Sequence, residues 1–339
     1  MSVKSVNVYR GVDGTIKQTP VELNVDLKPR EILLRITHSG FCGTDRAFLP
    51  YGLALGHEGV GIVEKVGSEV TQFKVGDRAG GGYLRGSCGH CSYCLSGDEI
   101  MCYQRDIFGE SNYNQGTFAD YYVGTETYLH KIPDELSSEE AAPLQCAGAT
   151  VYTALIRNLK PGMRVGIVGV GGLGHLAIQF ASRLGAEVVV FSYTGSKEKE
   201  AKSLGAQEFY LIDEIDRLPE PVHLILFAGK GVPDLKKFFK KEVLARSGTL
   251  IPLSEPASTY DLPGFDTFFN SYNLASNLVA SRKYHDDMLK FAATHSIKPI
   301  IEKFEMSEKG LNEVLEKLVS GKIRYRAVLC ALGGLGKVD

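Results

Sequence analysis

The chain has 339 residues, enough for about two domains that each bury a core. Its net charge of −2 and the lack of any run of five Lys or Arg exclude an electrostatic footprint for nucleic acid and favour a small-molecule partner. Apolar runs fall far short of the ~20 residues that cross a bilayer, and residues 1–10 carry no apolar leader core, so a soluble cytoplasmic chain with no membrane partner is expected.

From the amino terminus to about residue 150, short Val, Ile and Leu runs broken by turns, at 31–38, 57–66 and 117–123, predict a mostly β module. Three separated residues in it are candidate metal ligands: Cys42 in Phe41-Cys42-Gly43-Thr44-Asp45, His57 in Gly56-His57-Glu58-Gly59-Val60-Gly61, and Cys146 in Gln145-Cys146-Ala147-Gly148. Singly, each is as well explained as a small buried hydrophobe or a satisfied polar residue. Together, two Cys and one His leave the fourth position of a tetrahedral zinc open, as catalysis requires. Asp45 and Glu58 can support that site from behind, with a carboxylate fixing the His57 tautomer. The Thr44 hydroxyl can pass a proton, or simply close a turn on its own backbone.

Between these ligands, Cys88, Cys91, Cys94 and Cys102 stand in a Gly-bearing loop over about 86–103. Four thiolates make a closed structural zinc site; iron–sulfur proteins also use four Cys, but their spacings differ. Two zinc ions per chain are therefore expected, and six of the seven cysteines have a metal assigned.

Beyond residue 160 the texture changes to alternating strand and helix: strand Arg164–Val168, helix 172–184, strand 187–191, helix 197–204. This is the seed of a doubly wound parallel sheet. Further strands are predicted at 209–212, 223–227 and 249–253, then a helix at 284–295. The first strand runs into Gly169-Val170-Gly171-Gly172-Leu173-Gly174, a GxGxxG turn placed where a pyrophosphate meets backbone N–H groups at a helix start. At the end of the second strand, where an Asp or Glu accepts the ribose hydroxyls of NAD, the chain has Ser192-Tyr193-Thr194-Gly195-Ser196-Lys197. Hydroxyls at Ser192 and Ser196 and charge at Lys197 favour NADP(H) over NAD(H). The tail returns to strand 298–304, helix 308–318 and strand 325–330, without a break that marks a third domain.

With these motifs in order, the sequence resembles the zinc-containing medium-chain alcohol dehydrogenases, most closely the cinnamyl-alcohol-dehydrogenase-like and yeast-type branch. The resemblance implies an α/β protein: a GroES-like β-rich catalytic domain over 1–150, a Rossmann domain over 151–290, and a tail, 291–339, that rejoins the first. It places catalytic zinc ligands at Cys42, His57 and Cys146, with Glu58 close enough to exchange, a proton-relay hydroxyl at Thr44, and Arg326 at the cofactor pyrophosphate. It also implies interconversion of an alcohol with an aldehyde or ketone, in a homodimer or homotetramer.

Two departures stand out. Ala47 occupies the place where many relatives carry a relay His, and only fourteen residues separate Cys42 from His57, which trims a loop that usually roofs the substrate cleft. A wider mouth and a bulky carbonyl substrate are expected. A polyol or sugar dehydrogenase, or an imine reductase, shares most of the motifs, but Tyr83, Leu84, Ile107 and Phe108 give a largely apolar lining. A non-catalytic NADPH-binding scaffold rests on Ala47 alone.

Overall fold

The computed structural model describes residues 3–254 and 259–331, which fall into two compact units: Met1–Ala149 with Ala280–Asp339, and Thr150–Val279. Among the described residues no helix is long and apolar enough to cross a membrane.

The first unit opens on a long antiparallel hairpin, Val3–Val12 against Thr15–Asn24. Its two-residue turn, Asp13-Gly14, has φ of 49° and 77°, the left-handed pair that matches strand twist. The main sheet has seven strands. Along it run Ile301–Glu305, Arg326–Cys330, Glu31–Phe41, Glu58–Val66, Arg78–Gly81 and His130–Lys131, with Tyr121–Thr125 also on Glu31–Phe41. Its core gathers Ile32, Leu34, Ile36 and Phe118 from the amino-terminal part and Leu311, Val314 and Leu329 from the carboxyl-terminal part. The tail is thus a structural member of this unit: strand Arg326–Cys330 is antiparallel to Glu31–Phe41.

The second unit is a six-stranded, wholly parallel sheet in the order Glu208–Leu211, Glu187–Ser192, Arg164–Val168, Val222–Phe227, Leu244–Pro252, Asn273–Leu274. That is the 3-2-1-4-5-6 order of dinucleotide-binding sheets. Its central strands read as unbroken apolar runs because both faces are covered: every residue of Arg164–Val168 is buried.

Element boundaries differ from the periodicity at a few points, each with a cause. The helix expected over 172–184 spans Gly174–Arg183, because Gly172 and Leu173 still belong to the glycine turn. The strand expected from 298 begins at Ile301, since Pro299 has no N–H for the ladder. The stretch expected as strand 117–123 is strand only from Tyr121; the Thr117 and Phe118 amides donate instead to the Gly56 and Leu55 carbonyls, which pins the loop before His57.

Candidate active site

Cys42 ends the strand Glu31–Phe41 and caps the short helix Gly43–Phe48. Its sulfur accepts the Thr44 amide at 3.3 Å, while the Cys42 amide donates to Asp45 Oδ2 at 3.0 Å, a reciprocal capping box. Asp45 is fully buried, and its other oxygen accepts the Gly56 amide at 2.9 Å and lies 3.1 Å from His57 Nδ1. One carboxylate therefore closes the cap behind Cys42 and orients His57, whose Nε2 lies 3.1 Å from Cys42 Sγ. With Nδ1 held by Asp45, Nε2 is the ring nitrogen turned toward Cys42 and the site.

Cys146 comes from a distant stretch of the chain, on a single π-helical turn, Leu144–Gly148. The preceding helix, Ser138–Pro143, begins at a capping box: Ser137 Oγ accepts the Glu140 amide and Glu140 Oε2 accepts the Ser137 amide. Burial works against the Glu140 carboxylate, but Lys298 at 2.8 Å and the Ser137 donors outweigh it and hold it below the usual carboxylate range. A depressed carboxyl stabilises the fold above its unfolded pKa and loses that contribution as pH falls through the folded value. Glu140→Gln is therefore expected to cost about 0.5–1 kcal/mol at pH 7. Urea titrations should show the difference vanish at acid pH.

The ligand atoms of Cys42, His57, Glu58 and Cys146 lie within 4.8 Å of one another, and all four residues are buried. Within this cluster the Cys146 thiol donates toward Cys42, which is held well below the ordinary thiol range. Burial opposes a charge on His57, yet Asp45 and Cys42 push its pKa well above the ordinary value. Burial raises Glu58 to about 7 against the pull of Arg326. A cluster that collects thiolate, imidazole and carboxylate in a dry site has the chemistry of a cation site. Space for Glu58 is made by Gly40, where any Cβ would run into the carboxylate. Around the ligands, the Phe108 ring lies 4.6 Å from that of His57, and Tyr83 meets it edge-on at 5.7 Å.

Cys88, Cys91, Cys94 and Cys102 converge in a lobe whose base is the hairpin Leu84–Gly86 with Asp106–Ile107. No cysteine of the chain is in a disulfide. The sulfurs of Cys91 and Cys88 lie 3.6 and 3.9 Å from that of Cys94. Four sulfurs at about 2.3 Å around one zinc stand about 3.8 Å apart, so the set fits a closed tetrahedral site. Backbone amides of Cys91 and Gln104 point at Cys88 and Cys102, as thiolates require.

In the second unit, Gly169 turns the strand end with φ 86°. A Cβ at Gly174 would strike the Gly169 carbonyl, so the helix can start this close only with glycine there, whereas a Cβ at Gly171 would meet nothing. Gly171 thus presents open backbone before the helix Gly174–Arg183, with Leu173 at its N-cap position. At the end of the next strand Ser192 is buried, its hydroxyl donating to the Thr194 carbonyl at 2.9 Å. Thr194 and Ser196 share a hydroxyl hydrogen bond, Lys197 reaches Glu200 at 3.0 Å, and Tyr193 is exposed.

The alcohol dehydrogenase GroES-like domain family matches residues 28–134. An alcohol dehydrogenase of Geobacillus stearothermophilus is 36% identical over 334 residues, which cover 91% of this chain and 96% of that protein. The chain belongs to the zinc-containing medium-chain alcohol dehydrogenases. An NADP-dependent alcohol dehydrogenase C of Mycolicibacterium smegmatis is 33% identical over 96% of this chain and 98% of its own length. A solved cinnamyl alcohol dehydrogenase from Sorghum bicolor superposes with a TM-score of 0.88 at 28% identity, covering 99% of each chain. The fold is accordingly the GroES-like domain plus Rossmann domain of this family, and membership carries alcohol–aldehyde interconversion on a small-molecule substrate.

Arg326 is buried and donates to both oxygens of Glu58, at 2.5 and 2.6 Å. The two are 268 positions apart, so only the sheet, which brings Arg326–Cys330 beside Glu31–Phe41, introduces them. Asp45 had a local signal: a carboxylate three residues after a capping side chain.

Proposed function

We propose that the chain is a zinc-dependent, NADP(H)-preferring alcohol dehydrogenase or carbonyl reductase for relatively bulky carbonyl compounds, with two zinc ions per chain. The observation that carries this reading is the buried set Cys42, His57 and Cys146 with Asp45 locked behind His57. Cys88, Cys91, Cys94 and Cys102 would hold the structural ion. Zinc, when bound, supplies Lewis acidity to a carbonyl or alcohol oxygen, and the nicotinamide supplies or accepts hydride.

The chain's own residues do the remaining work. Asp45 accepts the His57 Nδ1 proton and so fixes the ring with Nε2 turned toward the site. Thr44, half-buried in the first turn after Cys42, exchanges a proton with the reacting oxygen through Oγ1. Ala47, on the same helix, cannot extend that relay, so the relay is shortened or rerouted through water. Glu58 stands as a fourth, exchangeable oxygen ligand held back by Arg326. Arg326 Nε, buried with no partner, supports its further use toward a cofactor phosphate. Gly169, Gly171, Gly172, Leu173 and Gly174 would hold the pyrophosphate, and Ser192, Tyr193, Ser196 and Lys197 would meet the 2′-phosphate.

The short link after Cys42, one helix Gly43–Phe48 and one turn Leu49–Tyr51, supports an open substrate mouth, and the aromatic Tyr83 and Phe108 support an apolar substrate. Seven free cysteines support a reducing, cytoplasmic location.

Cofactor choice is tested by kcat/KM for NADPH and NADH with a panel of aldehydes, ketones and imines. A tenfold preference for NADH, or ethanol and acetaldehyde as best substrates, contradicts the reading. Ser192→Asp places a carboxylate against the 2′-phosphate; since like charges in contact cost several kcal/mol, kcat/KM for NADPH should fall about 100-fold while that for NADH holds or rises.

A further inference from the structure

The four-cysteine lobe and the Cys146 turn are both gripped by one helix, Arg282–Thr294, which belongs to neither. At its start, Glu99 of the lobe, 1% exposed, accepts the Arg282 backbone N–H at 2.8 Å and the Arg282 Nε–H at 2.7 Å. A carboxylate from the lobe thus closes this helix's amino end, a role its own Ser281 side chain does not fill. The Arg282 guanidinium also lies 5.5 Å from the centre of the Tyr128 ring, whose hydroxyl meets Ser87 Oγ at 2.7 Å, and Ser87 Oγ in turn lies 3.2 Å from Cys94 Sγ. Two separate threads therefore tie Arg282 to the lobe.

One turn further on, buried His285 faces the Cys146 turn, with Nε2 3.0 Å from Gln145 Oε1. The His130 ring stacks on His285 at 3.7 Å, and Asp286 holds His130 Nδ1 at 2.7 Å. Burial and His130 push His285 well below its usual pKa, so the ring is neutral and Nε2–H donates. The Gln145 amide is fixed at its other end as well, donating to the Ala141 carbonyl at 3.0 Å. Glycines keep the fit tight: a Cβ on Gly80 would collide with the Gln145 amide, and one on Gly148 would crowd Leu144 and Met288 of the same helix.

We infer that the helix Arg282–Thr294 is a strut that sets the Cys146 turn against the four-cysteine lobe, with Glu99, Arg282 and His285 as positioning residues for the open metal site. The lobe then has a second role beyond its own stability, because it anchors the helix that aims one ligand of the distant site. This inference rests on the proposed metal ligation at Cys42, His57 and Cys146.

The test uses the full-length zinc-loaded protein and its cobalt-exchanged form, with His285→Leu, His285→Gln and Glu99→Gln. Zinc release to a chromogenic chelator and the thiolate-to-cobalt absorption bands are read beside kcat and KM. Loss of a supporting contact typically weakens metal binding about 10–100-fold, so His285→Leu should release one zinc that much faster and shift the cobalt bands. The lobe's zinc should stay bound. Glu99→Gln, though it alters the lobe, should act on the same open site, with lower kcat and unchanged cofactor KM. His285→Gln, which keeps an amide N–H toward Gln145, should recover most of the loss, and Glu99→Gln carries the test if the Leu variant does not fold. Wild-type zinc release and cobalt spectra in both His285→Leu and Glu99→Gln overturn the strut. A parent protein that binds only one metal overturns the ligation reading instead, before any variant is compared.

Discussion

Cys146→Ala should leave a folded chain that retains one zinc and has lost turnover, with kcat/KM down about 100-fold or more, the scale on which removal of a charge-stabilising group acts. The loss is large because Cys146 supplies what no neighbour can. Cys42 and His57 come from a strand end and the loop 15 residues on, while Cys146 comes from the separate π-turn Leu144–Gly148. Glu58 does not replace it, being held by Arg326 at 2.6 Å. Stability should change little, since alanine fits the turn and its neighbour Ala147 is already buried there. Elemental analysis and steady-state kinetics on the same preparation check this. Wild-type turnover with one zinc would remove Cys146 from the reaction.

Arg326→Met should be the most destabilising single change near the site, at about 3–5 kcal/mol, the range for leaving one partner of a buried pair uncompensated. Arg326 and Glu58 have side chains 7% and 0% exposed, so water cannot take over either role. Desolvation limits what the pair contributes together, and for that reason Arg326→Met with Glu58→Gln should recover much of the loss. Urea denaturation of both single variants and the double measures the coupling. Equal loss in the double and in Arg326→Met would mean that Glu58 is not left charged and unpaired.

The second unit is legible in the sequence because its strands are short β-branched runs such as Val188-Val189-Val190, fenced by glycine turns, with both faces buried. Periodicity fails where the chain bends: the amino-terminal hairpin carries an Asp13-Gly14 turn signal, but its strands expose so many polar residues, as in Thr15–Asn24, that they give little apolar alternation. At the site, local spacing brings Asp45 to Cys42, since both lie in one capping box. Contacts across long separations leave no such trace. Glu58 with Arg326, Glu99 with Arg282 and Gln145 with His285 are made by sheet pairing and by one late helix, 268, 183 and 140 positions from their partners. The π-turn at Leu144–Gly148 is equally silent, because an extra residue in a helical turn changes no residue type.

The chain is expected to hold two zinc ions, one in a closed site and one open to chemistry. Inductively coupled plasma mass spectrometry of the purified full-length protein, with protein quantified by amino-acid analysis, tests it most directly. Two zinc per chain is the expected result, with one removed first by a chelator as NADPH-dependent turnover disappears. A chain that turns over fully with a single zinc, or with none, would contradict it.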